Sequence, residues 1–285
     1  MKLLRYSVGS APAVLGALVE GDVVPLSALP VPPGDMGALI AGWGRLADDA
    51  REIAWRATGR IKLDEVHVLA PLARPGKIFA IGLNYADHIA ESKLGTPEQQ
   101  VWFTKAVTAI HGPYDPVEIP HEPSCVDYEV EMVAIIGRGG RDIGRGDAPG
   151  AIFGYCVGND VTERRWQHSS SQWSLGKSFD THAPIGPWIT TADEVTDPHA
   201  LDIKCWVNEE LRQNSNTSHL VFNLWDQIEH LSHAMTLEPG DLIFTGTPGG
   251  IGAAMDPRRF LQPSDLVRCE IAGLGHIENS LRLRG

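Results

Sequence analysis

The sequence predicts a mainly-β α+β protein, a core of mixed strands with a few peripheral helices and a small α+β piece at the N-terminus. Three observations carry this prediction. Strand-like apolar runs recur from residue 78 to residue 271 and greatly outnumber helical stretches. The 30 Gly and 20 Pro follow no collagen-like period and divide the chain into short elements. Strands do not alternate with long helices, as a doubly wound fold requires. At 285 residues the chain is long enough for one large domain, or a large one with a small partner. Its 43% hydrophobic and 21% charged residues are ordinary for a soluble globular protein and argue against disorder.

The N-terminal piece is read as residues 1–70. Lys2–Val8, Ala13–Val19 and Val23–Leu26 read as strands, the last two joined by a turn at Glu20-Gly21-Asp22. Residues 35–57 read as a helix capped by Asp35, because Met36, Leu39, Ile40, Trp43 and Leu46 recur at helical spacing. Pro71, Pro75 and Gly76 mark the exit, so residues 71–285 form the second unit. In that unit Ile78–Leu83 is a short apolar run, and Tyr85–Leu94 looks helical up to Gly95. Strands are expected at Val101–Thr104, Tyr128–Ile136, Ala151–Asn159, Ile203–Val207, Leu242–Thr245 and Leu266–Ile271. Turns are expected at Gly137-Arg-Gly-Gly-Arg, Ala183-Pro-Ile-Gly-Pro and Glu238-Pro-Gly-Asp. Leu224–Met235 reads as a helix with Leu224, Ile228, Leu231 and Met235 on one face.

Charge and cysteine usage narrow the function classes. Asp and Glu total 36 against 24 Lys and Arg, a balance of −12 that argues against nucleic-acid or anionic-membrane partners. Cys125, Cys156, Cys205 and Cys269 are far apart and form no Cys-x-x-Cys pair, so they read as buried reduced thiols. Arg5, Glu20 and Asp22 interrupt the N-terminal apolar stretch, and no window reaches the ~18 apolar residues of a membrane span. The expectation is a soluble cytoplasmic protein.

The most informative segment is Asp127-Tyr128-Glu129-Val130-Glu131, which runs on into Met-Val-Ala-Ile-Ile. Residues two apart in a strand share a face, so Glu129 and Glu131 project together with Asp127 in register. Acids on a strand that continues as a buried run need a compensating charge. A hard divalent cation supplies one, and solvent or Arg partners are the alternative. A third acid, Asp160, follows the apolar run ending in Gly-Asn. Arg164 and Gln167 lie four and seven residues beyond it, where one face of a helical turn clamps a carboxylate; a turn cap at Asp160 with a solvated arginine is the alternative.

Gly176-Lys177-Ser178 resembles a phosphate loop, but position 171 is Ser where the first glycine belongs, so Lys177 is read as a cation for an oxyanion or as a surface lysine. The glycines of Thr245-Gly246-Thr247-Pro248-Gly249-Gly250 permit close ligand approach or a plain turn. His88 and Glu91 are three apart on the short helix. A carboxylate beside an imidazole fixes its tautomer and raises its basicity, which suits water activation, although such pairs also occur as surface contacts. No His-Glu-x-x-His zinc motif occurs.

In this order GLNYADHIAE, DYEVEMVAIIG, FGYCVGNDVTERRWQ, LGKSFDTHAPIGPWI, LEPGDLIFTGTPGGIG and CEIAGLG resemble the fumarylacetoacetate hydrolase superfamily over about Lys77 to Arg284. The resemblance implies a mixed β-roll or β-sandwich catalytic domain, a small N-terminal domain and a homodimer. It implies that Glu129, Glu131 and Asp160 are metal carboxylates for Mg²⁺ or Mn²⁺, and that His88 and Glu91 are the water-activating dyad. By the same resemblance Arg164, Gln167, Lys177 and Thr247 are substrate-binding positions, with Gly246 beside Thr247. Two departures stand out. Ile81 occupies the place of a further metal carboxylate in the founding hydrolase, which points to the shorter acylpyruvase-type branch. Lys105-Ala-Val-Thr108 replaces the common Lys-Pro-Pro-Ser.

The function this implies is metal-dependent hydrolysis of a C–C bond in a 2,4-dioxo acid such as an acylpyruvate or fumarylpyruvate, through a metal-stabilised enolate. Lys177 would help to stabilise that enolate. The alternatives on the same site are a 2-oxo-acid decarboxylase, an isomerase or tautomerase, and a ureidoglycolate-type lyase. A binding protein without turnover is the alternative from another class.

Overall fold

Strand Val130–Ile136 is buried at all seven positions, which explains its near-continuous apolar sequence. The computed structural model describes residues 1–92, 95 and 97–285. Side chains alternate across this strand. Val130, Met132, Ala134 and Ile136 enter one core, with Ile203, Cys205, Val267 and Ile277. Val133 and Ile135 enter another, with Ile78, Ile185, Phe244, Leu39 and Ile40. Glu131 belongs by alternation to the second face, at the beginning of the strand.

The strand sits inside a 12-stranded sheet whose main path runs Ile61–Lys62, Asp22–Pro25, Val14–Val19, Lys2–Ser7, Ala183–Thr191, Ile152–Asn159, Val130–Ile136, Leu242–Phe244, Ile78–Gly82 and Val101–Thr104. Most neighbours are antiparallel, but Leu242–Phe244 runs parallel to Ile78–Gly82, so the sheet is mixed. A five-stranded sheet of Glu210–Asn216, Asp202–Val207, Leu266–Ile271, Gly275–Leu283 and Val117–Ile119 contributes to the first core. The mainly-β class with few helices is as the sequence predicts.

Residues 1–70 carry the strand pairs and the helix expected of them, Met36–Arg56, with Asp35 accepting from the Ala38 N–H as N-cap. They also join the main sheet through Lys2–Ser7 beside Ala183–Thr191, and Leu39 and Ile40 share a core with Val133 and Phe244. Helix Leu224–Ala234 opens with a capping box of Asn223 and Asp226 and ends one residue before the sequence-based limit. The helix read over Tyr85–Leu94 is Ala86–Ser92; Lys93 and Leu94 lie outside the described residues.

Two expectations need correction, and two strands were not foreseen. Ala183-Pro-Ile-Gly-Pro is not a turn but the start of the nine-residue strand Ala183–Thr191. Its prolines donate nothing to the ladder, and the pairing with Ile152–Asn159 shifts register between Tyr155 and Val157, which accommodates them. The strand expected from Tyr128 starts at Val130, because Val126–Asp127 pairs separately with Thr162–Glu163. Strands Glu210–Asn216 and Gly275–Leu283 escaped notice because their polar residues hide the apolar alternation. All four cysteines are free, with Cys205 and Cys269 paired across adjacent strands. Among the described residues no helix is long and apolar enough to cross a membrane.

Candidate metal centre and active site

Two strand ends and one break in a strand bring the acids together. Glu129 occupies the two-residue gap before Val130; its N–H donates to Asn159 Oδ1 at 2.9 Å and its C=O accepts from the Asp160 N–H at 2.8 Å. Asp160 follows the last residue of Ile152–Asn159, the strand-end position that the sequence suggested. Glu131 stands one strand residue further in. One carboxylate oxygen from each of Glu129, Glu131 and Asp160 lies within 4.8 Å of the others, and all three residues are buried. Ligand oxygens about 2.1 Å from one Mg²⁺ can be at most ~4.2 Å apart, so the three acids stand close to the spacing that one shared ion requires. An all-oxygen donor set suits Mg²⁺ or Mn²⁺.

The surrounding charges are arranged unevenly. Lys177 Nζ lies 2.6 Å from Glu129 Oε2 and 2.6 Å from Asp160 Oδ2. Lys105 Nζ lies 2.5 Å from Asp160 Oδ1 and reaches the Val161 carbonyl at 3.3 Å. Arg164 Nη2 is 2.7 Å from Glu129 Oε1 and 2.8 Å from Asp127 Oδ2. Among the described residues Glu131 has no such cation in ion-pair contact, and its Oε2 accepts the Gly246 N–H at 2.7 Å. Burial works against ionisation at Glu129, but Lys177 and Arg164 overcome it and hold the carboxyl at about 2. Glu131 goes the other way: burial, then Asp160 and Glu129, raise it well above the usual carboxyl range. Burial and the Lys177 charge lower Lys105, whereas Asp160 and Glu129 raise Lys177 despite its burial. The uncompensated acid is the opening for a further cation.

Asp127 is not a fourth ligand, because the chain turns between it and Glu129. Its Oδ1 accepts from the Gly252 N–H at 2.8 Å, and its Oδ2 accepts from the Ala253 N–H at 3.0 Å and Arg164 Nε at 2.9 Å. Arg164 opens the four-residue helix Arg164–Gln167, and its Nη1 donates to Gln167 Oε1 at 3.1 Å. Its Nη2 meets Glu129 and Asp127 as ion pairs but makes no well-aligned hydrogen bond among the described residues. The guanidinium of the expected carboxylate clamp is thus fixed among Asp127, Glu129 and Gln167.

The dyad is formed as expected. His88 Nδ1 and Glu91 Oε1 are 2.8 Å apart, and Glu91 Oε2 accepts the Gly250 N–H at 2.7 Å. With Nδ1–H on the carboxylate, Nε2 is the basic nitrogen. His88 lines a small cavity of ≈ 50 Å³ together with Glu129, Glu131, Arg164, Gln167, Lys177 and Thr247. That is room on the scale of a few water molecules. Every site residue expected from the sequence lines this cavity or directly holds one that does, Asp160 through Lys177 and Gly246 through Glu131. Gly246, at φ +102°, gives its N–H to Glu131 and so holds one of the acids.

Four residues escaped the sequence analysis. Gln213 donates from Nε2 to Thr247 Oγ1 at 2.8 Å and to the Pro248 carbonyl at 2.8 Å, while its Oε1 accepts the Val130 N–H at 3.0 Å. Thr247 therefore accepts from Gln213 and keeps its own O–H for the cavity. Asn84 donates to the Thr245 and Phe222 carbonyls and accepts the Phe222 N–H, which joins the dyad segment to the glycine loop. Trp173 lies over Gly82 so closely that a Cβ there would be 2.3 Å from its ring. Lys105 is the fourth; a lysine amid Val-Trp-Phe-Thr and Ala-Val was its signal, and the Ala-Val-Thr that follows still delivers it to Asp160.

This fold and this acid cluster define a β-rich enzyme class with an oxygen-ligand metal centre. Residues 77–282 match the model of the fumarylacetoacetate hydrolase C-terminal domain. The chain is 40% identical over 301 residues to a fumarylacetoacetate hydrolase domain-containing protein 2 homolog from Dictyostelium discoideum, covering 99% of this chain and 97% of the other. It is 46% identical over 219 residues to a mitochondrial oxaloacetate tautomerase from Bos taurus, covering 76% and 70%. It also superposes on the crystal structure of a maleylpyruvate hydrolase from Sphingobium sp. SYK-6, in complex with manganese(II) and pyruvate, with a TM-score of 0.86, 34% identity and complete coverage of both chains. The chain belongs to the fumarylacetoacetate hydrolase family.

Proposed function

We propose that this protein is a Mg²⁺- or Mn²⁺-dependent hydrolase that cleaves a C–C bond in 2,4-dioxo acids of the acylpyruvate type. The observation that carries the reading is the His88–Glu91 pair, fixed by the Gly250 N–H and facing the same cavity as the Glu129 and Glu131 carboxylates. A hydrolase needs a base for water beside a centre that withdraws electrons. Both stand here. When bound by Glu129, Glu131 and Asp160, the divalent ion supplies positive charge that polarises a 2-oxo acid.

The chain's own groups perform the rest. The Arg164 guanidinium and the Thr247 hydroxyl orient the keto-acid head, with Gln167 holding Arg164 in place. His88 Nε2 takes a proton from water as the water adds to the distal carbonyl, and Glu91 stabilises the imidazolium. As the C–C bond breaks, the electron pair moves into the pyruvate fragment, where the Lys177 ammonium offsets the growing negative charge. The proton held by His88 then returns to that fragment. The same reading includes a small-molecule keto acid as ligand, a homodimer and a cytoplasmic location.

A second reading is a keto-acid tautomerase, favoured by the 46% identity to a protein named oxaloacetate tautomerase. Tautomerisation shares the polarised keto acid and the proton-transferring imidazole but needs no attacking water. A panel of acetylpyruvate, fumarylpyruvate and oxaloacetate, assayed with Mg²⁺, Mn²⁺ or excess chelator and with products identified, decides between them. Pyruvate released from acylpyruvates supports hydrolysis. Enol–keto interconversion of oxaloacetate without cleavage of any acylpyruvate rejects it.

A further inference from the structure

The dyad stands on a seven-residue helix, Ala86–Ser92, and a helix that short is held in place by its neighbours more than by its own hydrogen bonds. Two carboxylates one turn apart on it, Asp87 and Glu91, flank His88 and tie it to the rest of the protein. Glu91 takes the Gly250 N–H. Asp87 takes the hydroxyl of Ser215, which donates to Oδ2 at 2.8 Å, while Asp87 Oδ1 accepts the His88 N–H at 2.8 Å. His219 Nδ1 lies 3.1 Å from the same serine oxygen.

An acid, a serine and a histidine meet here in the wrong order for a nucleophile. The serine stands between the other two, and its one proton goes to the carboxylate, which leaves its oxygen to accept from His219 Nδ1–H. The hydroxyl is a tie. Ser215 belongs to strand Glu210–Asn216, two residues from Gln213 and on the same face. Gln213 holds Thr247 and the Val130 N–H, between Glu129 and Glu131 in the chain. Gly250 packs on the same strand so closely that a Cβ there would be 2.0 Å from the Arg212 carbonyl oxygen. One strand therefore reaches the acid cluster through Gln213 and both ends of the dyad helix, one through Ser215 and the other through Gly250.

We propose that Ser215 is a positioning residue: through Asp87 it fixes the first turn of the dyad helix and so sets the distance from His88 Nε2 to the acid cluster. This rests on the reading of His88 as the base that moves a proton. Ser215 does not line the cavity that His88 faces, so it acts only through the helix. A displacement of about an ångström at a proton-transferring group costs a reaction as much as ~10²-fold.

Two measurements on the full chain with Mn²⁺ test this. Hydrogen exchange of a peptide spanning residues 86–92 is expected to be about fivefold faster in Ser215→Ala than in the wild type, the scale of one lost hydrogen bond. On the keto acid that the protein turns over, Ser215→Ala is expected to lower kcat about tenfold, with KM and the Mn²⁺ Kd within about twofold and the melting temperature within about 3 °C. Ser215→Thr keeps a hydroxyl and is expected to restore kcat. Ser215→Ala added to Asp87→Ala is expected to cost nothing further, because both break one contact. Unchanged exchange or unchanged kcat in Ser215→Ala, a loss carried by KM instead, or a loss that Ser215→Thr shares overturns the assignment. Full activity in His88→Ala overturns the reading on which it rests, whereas activity lost in His88→Ala and kept in Ser215→Ala overturns the positioning role alone.

Discussion

The Gly246 N–H donates to Glu131 Oε2 at 2.7 Å, and among the described residues this is the one hydrogen bond that the Glu131 carboxylate accepts. Glu129 and Asp160 share Lys177, and Asp160 also has Lys105. Glu131 thus adds a carboxylate to a buried cluster without adding a partner for it. Such a group destabilises the metal-free fold and binds a cation well for one reason, which is repulsion from its neighbours.

Glu131→Gln therefore changes stability and function in opposite directions. Without metal the variant should melt at or above the wild-type temperature, because an amide ends the repulsion and still accepts from Gly246. With Mn²⁺ at about a hundred times its Kd the wild type should gain ~2.7 kcal/mol, and the variant should gain little and show no metal-dependent turnover. Thermal melts with and without Mn²⁺ measure both effects.

His88→Ala should leave folding and Mn²⁺ binding intact and lower acylpyruvate hydrolysis by roughly 10²-fold or more. Glu91→Gln should fall between, since the amide still takes the Gly250 hydrogen bond but no longer stabilises an imidazolium. Steady-state kinetics with pyruvate detection provides the measurement; turnover unchanged in both variants removes the dyad from the mechanism.

Gln213 and Thr247 separate architecture from chemistry. Thr247→Val removes one hydroxyl and should lower kcat/KM by about tenfold at unchanged stability. Gln213→Leu leaves the buried Val130 N–H and Thr247 without their partner, so it should cost ~1–3 kcal/mol in urea unfolding and also lower kcat/KM.

His182 gives the fold a pH dependence. It is fully buried, its Nε2 lies 2.9 Å from the Glu118 carbonyl, and burial depresses its pKa to about 3. Unfolded, the ring takes a proton near 6.5, so below that pH the unfolded state binds the extra proton. The contribution is fully present above pH 6.5 and is lost as pH falls toward 3, at up to about 1.4 kcal/mol per pH unit. His182→Asn should show a shallower loss of stability between pH 6.5 and 4.5, whatever its stability at pH 7. Equal slopes would reject the assignment.

The sequence revealed the chemistry more fully than the architecture. Glu129, Glu131 and Asp160 were legible because acids at the mouths of apolar strands contradict their surroundings, and His88 and Glu91 because helical spacing brings them into contact. Asp127 misled because its alternation is identical to that of the ligands until the chain turns at Tyr128-Glu129, a turn made by pairing with Thr162–Glu163 some 35 residues away. Gln213 gave no signal, since a glutamine in a polar edge strand resembles any solvent-facing residue. Ala183–Thr191 was hidden by its own prolines. In each case the missing information was a contact distant along the chain, which local propensity does not carry.

The most direct test is the position of manganese in crystals grown with Mn²⁺, located by its anomalous scattering. One peak bounded by Glu129, Glu131 and Asp160, with the Lys177 ammonium drawn away from the two acids it now bridges, is the predicted result. A protein that turns over keto acids under the same conditions with no peak there, or with the ion held elsewhere, would contradict it.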